Sequence, residues 1–167
     1  MRADDQGNAS MELACGLAEE VVREFGEVRL RVFGTSMAPA ILPGDLVLIR
    51  RAELGEVSPG EIVLFLQHGR LFVHRAVHRK AAGRAEEPFL ITRGDRLRHN
   101  DPPVSSRELL GRVVSIERDQ QKIELPAPGA NRFIARLLRS SDGATYLYLR
   151  LAAAWRGLFL RRAKCQA

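Results

Sequence analysis

Short stretches of alternating apolar and polar residues run through most of this chain, and they constrain its fold more than any other feature. In the first stretch Val28, Leu30 and Val32 alternate with Arg29 and Arg31, the period of two that is typical of a half-buried β-strand. Similar apolar runs predict six further strands, at 46–50, 61–66, 70–77, 89–92, 112–117 and 122–125. Turn signals separate the runs, among them Pro43-Gly44-Asp45, Ser58-Pro59-Gly60, His68-Gly69 and Asp101-Pro102-Pro103. The pattern predicts a mainly β domain.

One amphipathic helix is predicted ahead of the strands, over residues 11–25. Its apolar face is made by Leu13, Leu17, Val21 and Phe25 at four-residue spacing, with Ala14, Ala18 and Val22 beside them. Ser10 is a good residue to cap the start of this helix, and Gly26 is a good residue to end it.

The composition changes after Pro126-Ala127-Pro128-Gly129. Residues 129–167 carry 8 Lys and Arg against 1 Asp or Glu, whereas residues 1–128 carry 18 against 19. We therefore expect an N-terminal helix over 1–27, a β domain over 28–126 and a basic helical tail over 127–167. Segments 130–139 and 144–163 of this tail have helical patterns, and the second one mixes Trp, Tyr, Phe and Leu with arginines. Such a helix either lies in an anionic membrane interface or packs on its own domain, and both interpretations stay open.

Several classes of protein are excluded or disfavoured. Two distant cysteines, Cys15 and Cys165, give neither a disulfide framework nor a metal-binding spacing, so no cofactor or metal is expected. The N-terminus has no apolar run like that of a signal peptide, and no run approaches the roughly 20 apolar residues of a membrane span. We expect a cytoplasmic protein. If its basic tail binds lipid, it would be a peripheral protein of the inner membrane. Because residues 1–128 have a net charge of −1, nucleic-acid binding is not expected.

Four residues carry the chemistry that a hydrolase needs. Ser36 lies in a predicted loop, His74 on a predicted strand, and Asp95 and Asp101 in a second loop. A serine hydroxyl becomes a nucleophile when a base takes its proton, and a carboxylate on the other ring nitrogen orients that base. Three of these residues, and Asp45 as well, also have a structural interpretation. Ser36, Asp45 and Asp95 suit turns, and a lone histidine such as His74 is often a satisfied core residue.

A resemblance to a known family joins these pieces. Ser36-Met37-Ala38-Pro39, Gly44-Asp45-Leu46-Val47, Gly60-Glu61-Ile62-Val63-Leu64-Phe65, His74-Arg75 and Thr92-Arg93-Gly94-Asp95 occur in the order of the signal peptidase I family. That serine-peptidase family shares a coiled, barrel-like β fold with self-cleaving repressors such as LexA, and the resemblance covers roughly residues 28–117. Within that family, this chain most resembles the endoplasmic-reticulum and archaeal type. That type has histidine, here His74, where the bacterial type has a lysine base.

The resemblance implies a serine endopeptidase that cleaves polypeptides after small residues. Ser36 would be the nucleophile, His74 the general base and Asp101 the orienting carboxylate, with Asp95 as the second choice for the third member. In two places the chain departs from the family pattern. Gly34 replaces a hydroxyl residue that helps to bind the oxyanion, and Leu97 replaces an asparagine.

Two other functions remain open at this stage. The chain could cleave itself at Cys15-Gly16, which resembles the small-residue–Gly bond cut in the SOS repressors. Alternatively, it could be a peptide- or membrane-binding module with the fold but with weak or absent turnover, since a fold does not by itself imply an activity.

Overall fold

The computed structural model describes residues 3–81 and 87–125, together with residues 147, 148, 150 and 151. Its elements in chain order are α1 (Ala3–Phe25), β1 (Glu27–Arg31), β2 (Leu46–Arg51), a 3₁₀ turn (Leu54–Glu56), β3 (Ile62–Gln67), β4 (Arg70–Lys80), β5 (Phe89–Arg93), β6 (Val104–Ser105), β7 (Leu109–Arg118) and β8 (Gln121–Ile123). Each of the seven predicted strands is present within three residues of its predicted bounds. β6 was not predicted, because two residues are too few to show a period.

The strands form one antiparallel sheet in the order β1-β2-β7-β3-β4-β5-β6, with β8 paired to β7. The predicted mainly β fold with an N-terminal helix is thus confirmed. The sheet is not closed, since β1 and β6 lie at its two ends. β1 therefore has one edge that no described strand covers.

Helix α1 begins at Ala3, eight residues before its predicted start, and ends where predicted. Gly26 has a φ of 76°, a left-handed conformation that glycine adopts without a steric penalty. The predicted apolar face was partly wrong. Cys15, Ala18 and Val22 are the buried face, whereas Leu13, Leu17 and Phe25 are 60–76% exposed. The buried face of the helix thus carries smaller apolar side chains than the exposed face.

The core has two clusters, and the candidate site lies where they meet. The first cluster lies under α1 and contains Val22, Met37, Ile41, Val47, Ile49 and their neighbours. The second contains Val63, Phe65, Ala76, Leu90 and Val104, with Phe72 packed against it. Met37 and Ile41 anchor the segment after Ser36 in the first cluster, while the His74 ring contacts Phe65 and Phe72.

Of the helix predicted over 144–163, the structure describes residues 147, 148, 150 and 151, and these four are helical. The predicted helix over 130–139 and the rest of the tail lie outside the described residues. Within the described part of the chain, no helix is long and apolar enough to cross a membrane.

Candidate active site

Ser36 lies in a turn that is fixed on both sides. The Thr35 carbonyl accepts a hydrogen bond from the Ala38 N–H at 3.1 Å, and the Met37 carbonyl accepts one from Ile41 at 3.0 Å. The next side chain, Met37, is only 2% exposed and anchors the turn in the core. Ser36 itself is half-buried. The turn therefore presents the Ser36 hydroxyl at the surface on a rigid support.

His74 contacts both Ser36 and Asp101. Its Nε2 lies 2.9 Å from Ser36 Oγ, and its Nδ1 lies 2.7 Å from Asp101 Oδ2. The histidine is 3% exposed, and its ring packs against the rings of Phe65 and Phe72. Because an ionised carboxylate only accepts hydrogen bonds, Nδ1 carries the proton that faces Asp101. The lone pair of Nε2 is then left to accept the proton of the Ser36 hydroxyl.

A second group holds Asp101, and the sequence alone did not point to it. The Thr92 hydroxyl donates to Asp101 Oδ2 at 2.7 Å, and the Asp101 N–H donates to the Thr92 carbonyl at 2.9 Å. Thr92 is fully buried. It lies opposite Ala76 in the register of β4 and β5, two residues along β4 from His74. The strand pairing therefore brings Thr92 to the face of the sheet that carries His74.

Asp95, the second choice for the third member, pairs with a different residue. Its two carboxylate oxygens accept hydrogen bonds from Nε and Nη2 of Arg75, each at 2.8 Å. Arg75 also donates to the Gly60 carbonyl at 2.8 Å. Paired Arg–carboxylate bonds of this kind fix orientation as well as charge. The carboxylate that reaches His74 is Asp101, whereas Asp95 holds its own loop to β4.

The loop that contains Asp95 packs directly on Ser36. The Arg96 N–H donates to the Ser36 carbonyl at 2.9 Å, and Leu97 N–H donates to the Gly94 carbonyl at 2.9 Å. A Cβ added at Gly94 would lie 2.8 Å from the Ser36 carbonyl oxygen and 3.0 Å from both the Ser36 Cβ and the Leu97 Cγ. Only glycine fits at position 94 while Ser36 keeps its place. Leu97, where the signal peptidase I family usually has asparagine, also lies against Gly94.

The N–H of Ser36 makes no hydrogen bond to any residue that the structure describes. An unused N–H at a nucleophile is a donor for the oxyanion of an acyl-transfer intermediate. Gly34 has no Cβ, and a Cβ built there would meet nothing within 4 Å. Position 34, where the signal peptidase I family usually has a hydroxyl residue, therefore has open space around it.

A buried ion pair supports the segment after Ser36. Asp45 is fully buried; it accepts the Leu42 N–H at 2.8 Å and two bonds from Arg118, at 3.0 and 2.7 Å. Hydrogen bonding to Asp45 raises the pKa of Arg118 above its usual range. The turn role predicted for Asp45 is confirmed.

Comparison with known protein families assigns the chain to one of them. A family model described as Peptidase S24-like matches residues 3–86, which are 84 of the 167 residues. The chain belongs to the Peptidase S24-like family. This membership supports a serine peptidase or a self-cleaving protein of the LexA type. The matched region contains Ser36 and His74 and ends before Asp95 and Asp101. A search of curated proteins gave no match.

Proposed function

We propose that this S24-like chain is a serine endopeptidase of the Ser/His signal-peptidase-like type, which hydrolyses a peptide bond after a small residue. The observation that carries the proposal is the continuous hydrogen-bonded chain from Ser36 Oγ through His74 to Asp101, with distances of 2.9 and 2.7 Å. The preference for small residues is taken from the resemblance to signal peptidases.

In the proposed reaction the Ser36 hydroxyl attacks the scissile carbonyl carbon while His74 Nε2 takes its proton. Asp101 stabilises the imidazolium that forms, and the Ser36 N–H donates to the oxyanion. His74 then gives its proton to the leaving amine, and an acyl-enzyme remains on Ser36. Water, deprotonated by His74, releases the acid and restores the hydroxyl.

The open edge of β1 supports a substrate bound in an extended form. Residues 32–35 connect this strand directly to Ser36, and an added peptide strand would form main-chain hydrogen bonds along the edge. We propose a cytoplasmic polypeptide substrate, such as the leader of a small secreted or modified peptide. The basic tail, over 130–164, would hold the enzyme at an anionic membrane surface.

Self-cleavage at Cys15-Gly16 has less support. This bond lies within α1, and Cys15 is 6% exposed, so the helix would have to unwind before the bond could reach Ser36. Cleavage of a second polypeptide needs no such rearrangement.

The test is an acylating probe of the fluorophosphonate or β-lactam class, read by intact mass on wild type and Ser36→Ala. We expect one adduct on the wild type and none on Ser36→Ala. Two fragments of the wild type, formed without probe and with masses that sum to the intact chain plus one water, would indicate self-cleavage. If no adduct forms and small-residue peptides stay uncut, the binding-module function replaces the peptidase.

A further inference from the structure

Two exposed arginines, Arg29 and Arg31, lie on the outer face of the edge strand. Arg29 and Arg31 are both exposed, whereas Val28 before them and Leu30 between them are half-buried. Arg31 donates to the Gly44 carbonyl at 3.2 Å. Among the residues that the structure describes, neither guanidinium forms an ion pair. Both positive charges are therefore available to a ligand.

The residues opposite the two arginines on β2 are apolar. Across β2, Leu48 lies opposite Arg29 and Leu46 lies opposite Arg31. One carboxylate, that of Glu27, lies on the same exposed face two positions before Arg29 and opposite Arg50, and it forms no ion pair with a described residue. The next strand, β7, places Glu117 opposite Leu46, which separates this carboxylate from Arg31 by the width of β2.

The arginine face leads directly to Ser36. Arg31 and Arg29 are five and seven positions before the serine. Val32, the first residue after β1, is held to the turn before β2. Its N–H donates to the Asp45 carbonyl at 2.9 Å, and its carbonyl accepts a hydrogen bond from the Gly44 N–H at 2.6 Å. Neighbouring strands are separated by about 4.8 Å, so a peptide on the free edge of β1 would lie within reach of both side chains.

We propose that Arg29 and Arg31 select substrates that carry two acidic residues, two positions apart, about five to seven residues from the scissile bond. This proposal rests on the proposed peptidase function and specifies its substrate class. Alternate side chains of a strand point to the same face, so acids at i and i+2 both meet the arginine face. The same acids at adjacent positions would not.

The experiment compares peptides with a common small-residue cleavage site and a Glu-x-Glu, Gln-x-Gln or Lys-x-Lys element on either side of it. We expect kcat/KM about five- to tenfold higher for Glu-x-Glu than for Gln-x-Gln on the side that lies along β1. The preference should weaken at high salt. The double variant Arg29→Glu/Arg31→Glu should prefer the Lys-x-Lys peptide. The control is Arg107→Glu, which changes an exposed charge two residues before β7 and should keep the wild-type preference for Glu-x-Glu.

Peptide binding to the Ser36→Ala variant, followed by fluorescence anisotropy, separates the two proposals. Suppose that peptides are cleaved, but that Glu-x-Glu and Gln-x-Gln give the same kcat/KM on both sides of the cleavage site. The proposal for Arg29 and Arg31 then fails, and the peptidase function stands. If nothing is cleaved and Ser36 is not acylated, the peptidase function fails. The acid preference in binding, and its reversal in the double variant, then still decides the role of Arg29 and Arg31.

Discussion

Thr92 and His74 bind the same oxygen of Asp101. The Thr92 hydroxyl and His74 Nδ1 each lie 2.7 Å from Asp101 Oδ2. Thr92 is fully buried, and its carbonyl also accepts the Asp101 N–H. Thr92 therefore helps to fix the orientation of the carboxylate through the same oxygen that His74 binds.

Replacing Thr92 by valine should lower the activity without removing it. The shape is kept, but Asp101 loses a hydrogen bond and becomes free to turn away from His74. We expect kcat about tenfold lower with KM little changed, since one hydrogen bond to a charged group contributes about 1.5–3 kcal/mol at most. Thr92→Ser should restore most of the rate. An equal loss in both variants would mean that packing, and not the hydroxyl, is what matters.

A methyl group at position 94 should disturb Ser36 directly. The added Cβ would lie 2.8 Å from the Ser36 carbonyl oxygen, so either that turn or the 94–97 loop must move. A displacement of about 1 Å in a catalytic group can cost about a hundredfold in rate, and we expect a loss of that order in kcat/KM for Gly94→Ala. Gly34→Ala is the matched control, since its Cβ meets nothing within 4 Å. A fully active Gly94→Ala variant would contradict the proposed position of the nucleophile.

Serine at position 34 should increase the activity. The site has room for a side chain, and a hydroxyl there would add a second donor to the oxyanion beside the Ser36 N–H. One such donor is worth about 10²–10³ in kcat when its geometry is ideal. We expect a gain of at least about tenfold for Gly34→Ser over Gly34→Ala, measured as the rate of acylation by the probe. A rate no higher than that of Gly34→Ala would show that position 34 does not face the oxyanion.

The sequence allowed the strands to be predicted because alternation and turn residues are local signals. Ser36, His74 and Asp101 entered one hypothesis through the family resemblance, and the structure brings them together; their catalytic roles remain a prediction. Thr92 was missed because its place beside His74 depends on the register of β4 against β5, which no local pattern encodes. The exposed face of α1 was mispredicted for a similar reason. Leu17 and Ala18 are both apolar, and only packing against the sheet decides which of them is buried.

Glu108 should stabilise the fold at neutral pH and lose this effect in acid. Burial raises the pKa of Glu108, but hydrogen bonds from the Ser105 N–H, the Ser105 hydroxyl and Gln67 outweigh it and hold the pKa below its usual 4.5. A carboxyl with a lowered folded pKa stabilises the protein above its unfolded pKa, and this stabilisation disappears as the pH falls through the folded pKa. Glu108→Gln should therefore lower the free energy of unfolding at pH 7 and differ less from wild type near about pH 3. Urea unfolding at both pH values measures this, with the exposed Glu124→Gln as control. A deficit that is equal at both pH values would assign the effect to packing.

The Asp45–Arg118 pair should contribute to stability as a coupled unit. Asp45 is fully buried and Arg118 is 26% exposed, so removing either partner takes two hydrogen bonds and the opposite charge away from the other. We expect Asp45→Asn to lower the free energy of unfolding by about 2–4 kcal/mol, since breaking a fully buried pair costs about 3–5 kcal/mol. Arg118→Met should cost a similar amount, because the buried Asp45 carboxylate loses the two hydrogen bonds that this guanidinium donates. The double variant should lose less stability than the sum of the two single variants, as measured by urea unfolding in a double-mutant cycle. Additive losses in the cycle would show that the two charges do not depend on each other.

Because Asp45 also fixes the segment after Ser36, the single variants should react more slowly with the acylating probe even under conditions where they are fully folded. An unchanged acylation rate in the folded single variants would show that the Ser36 turn does not depend on Asp45.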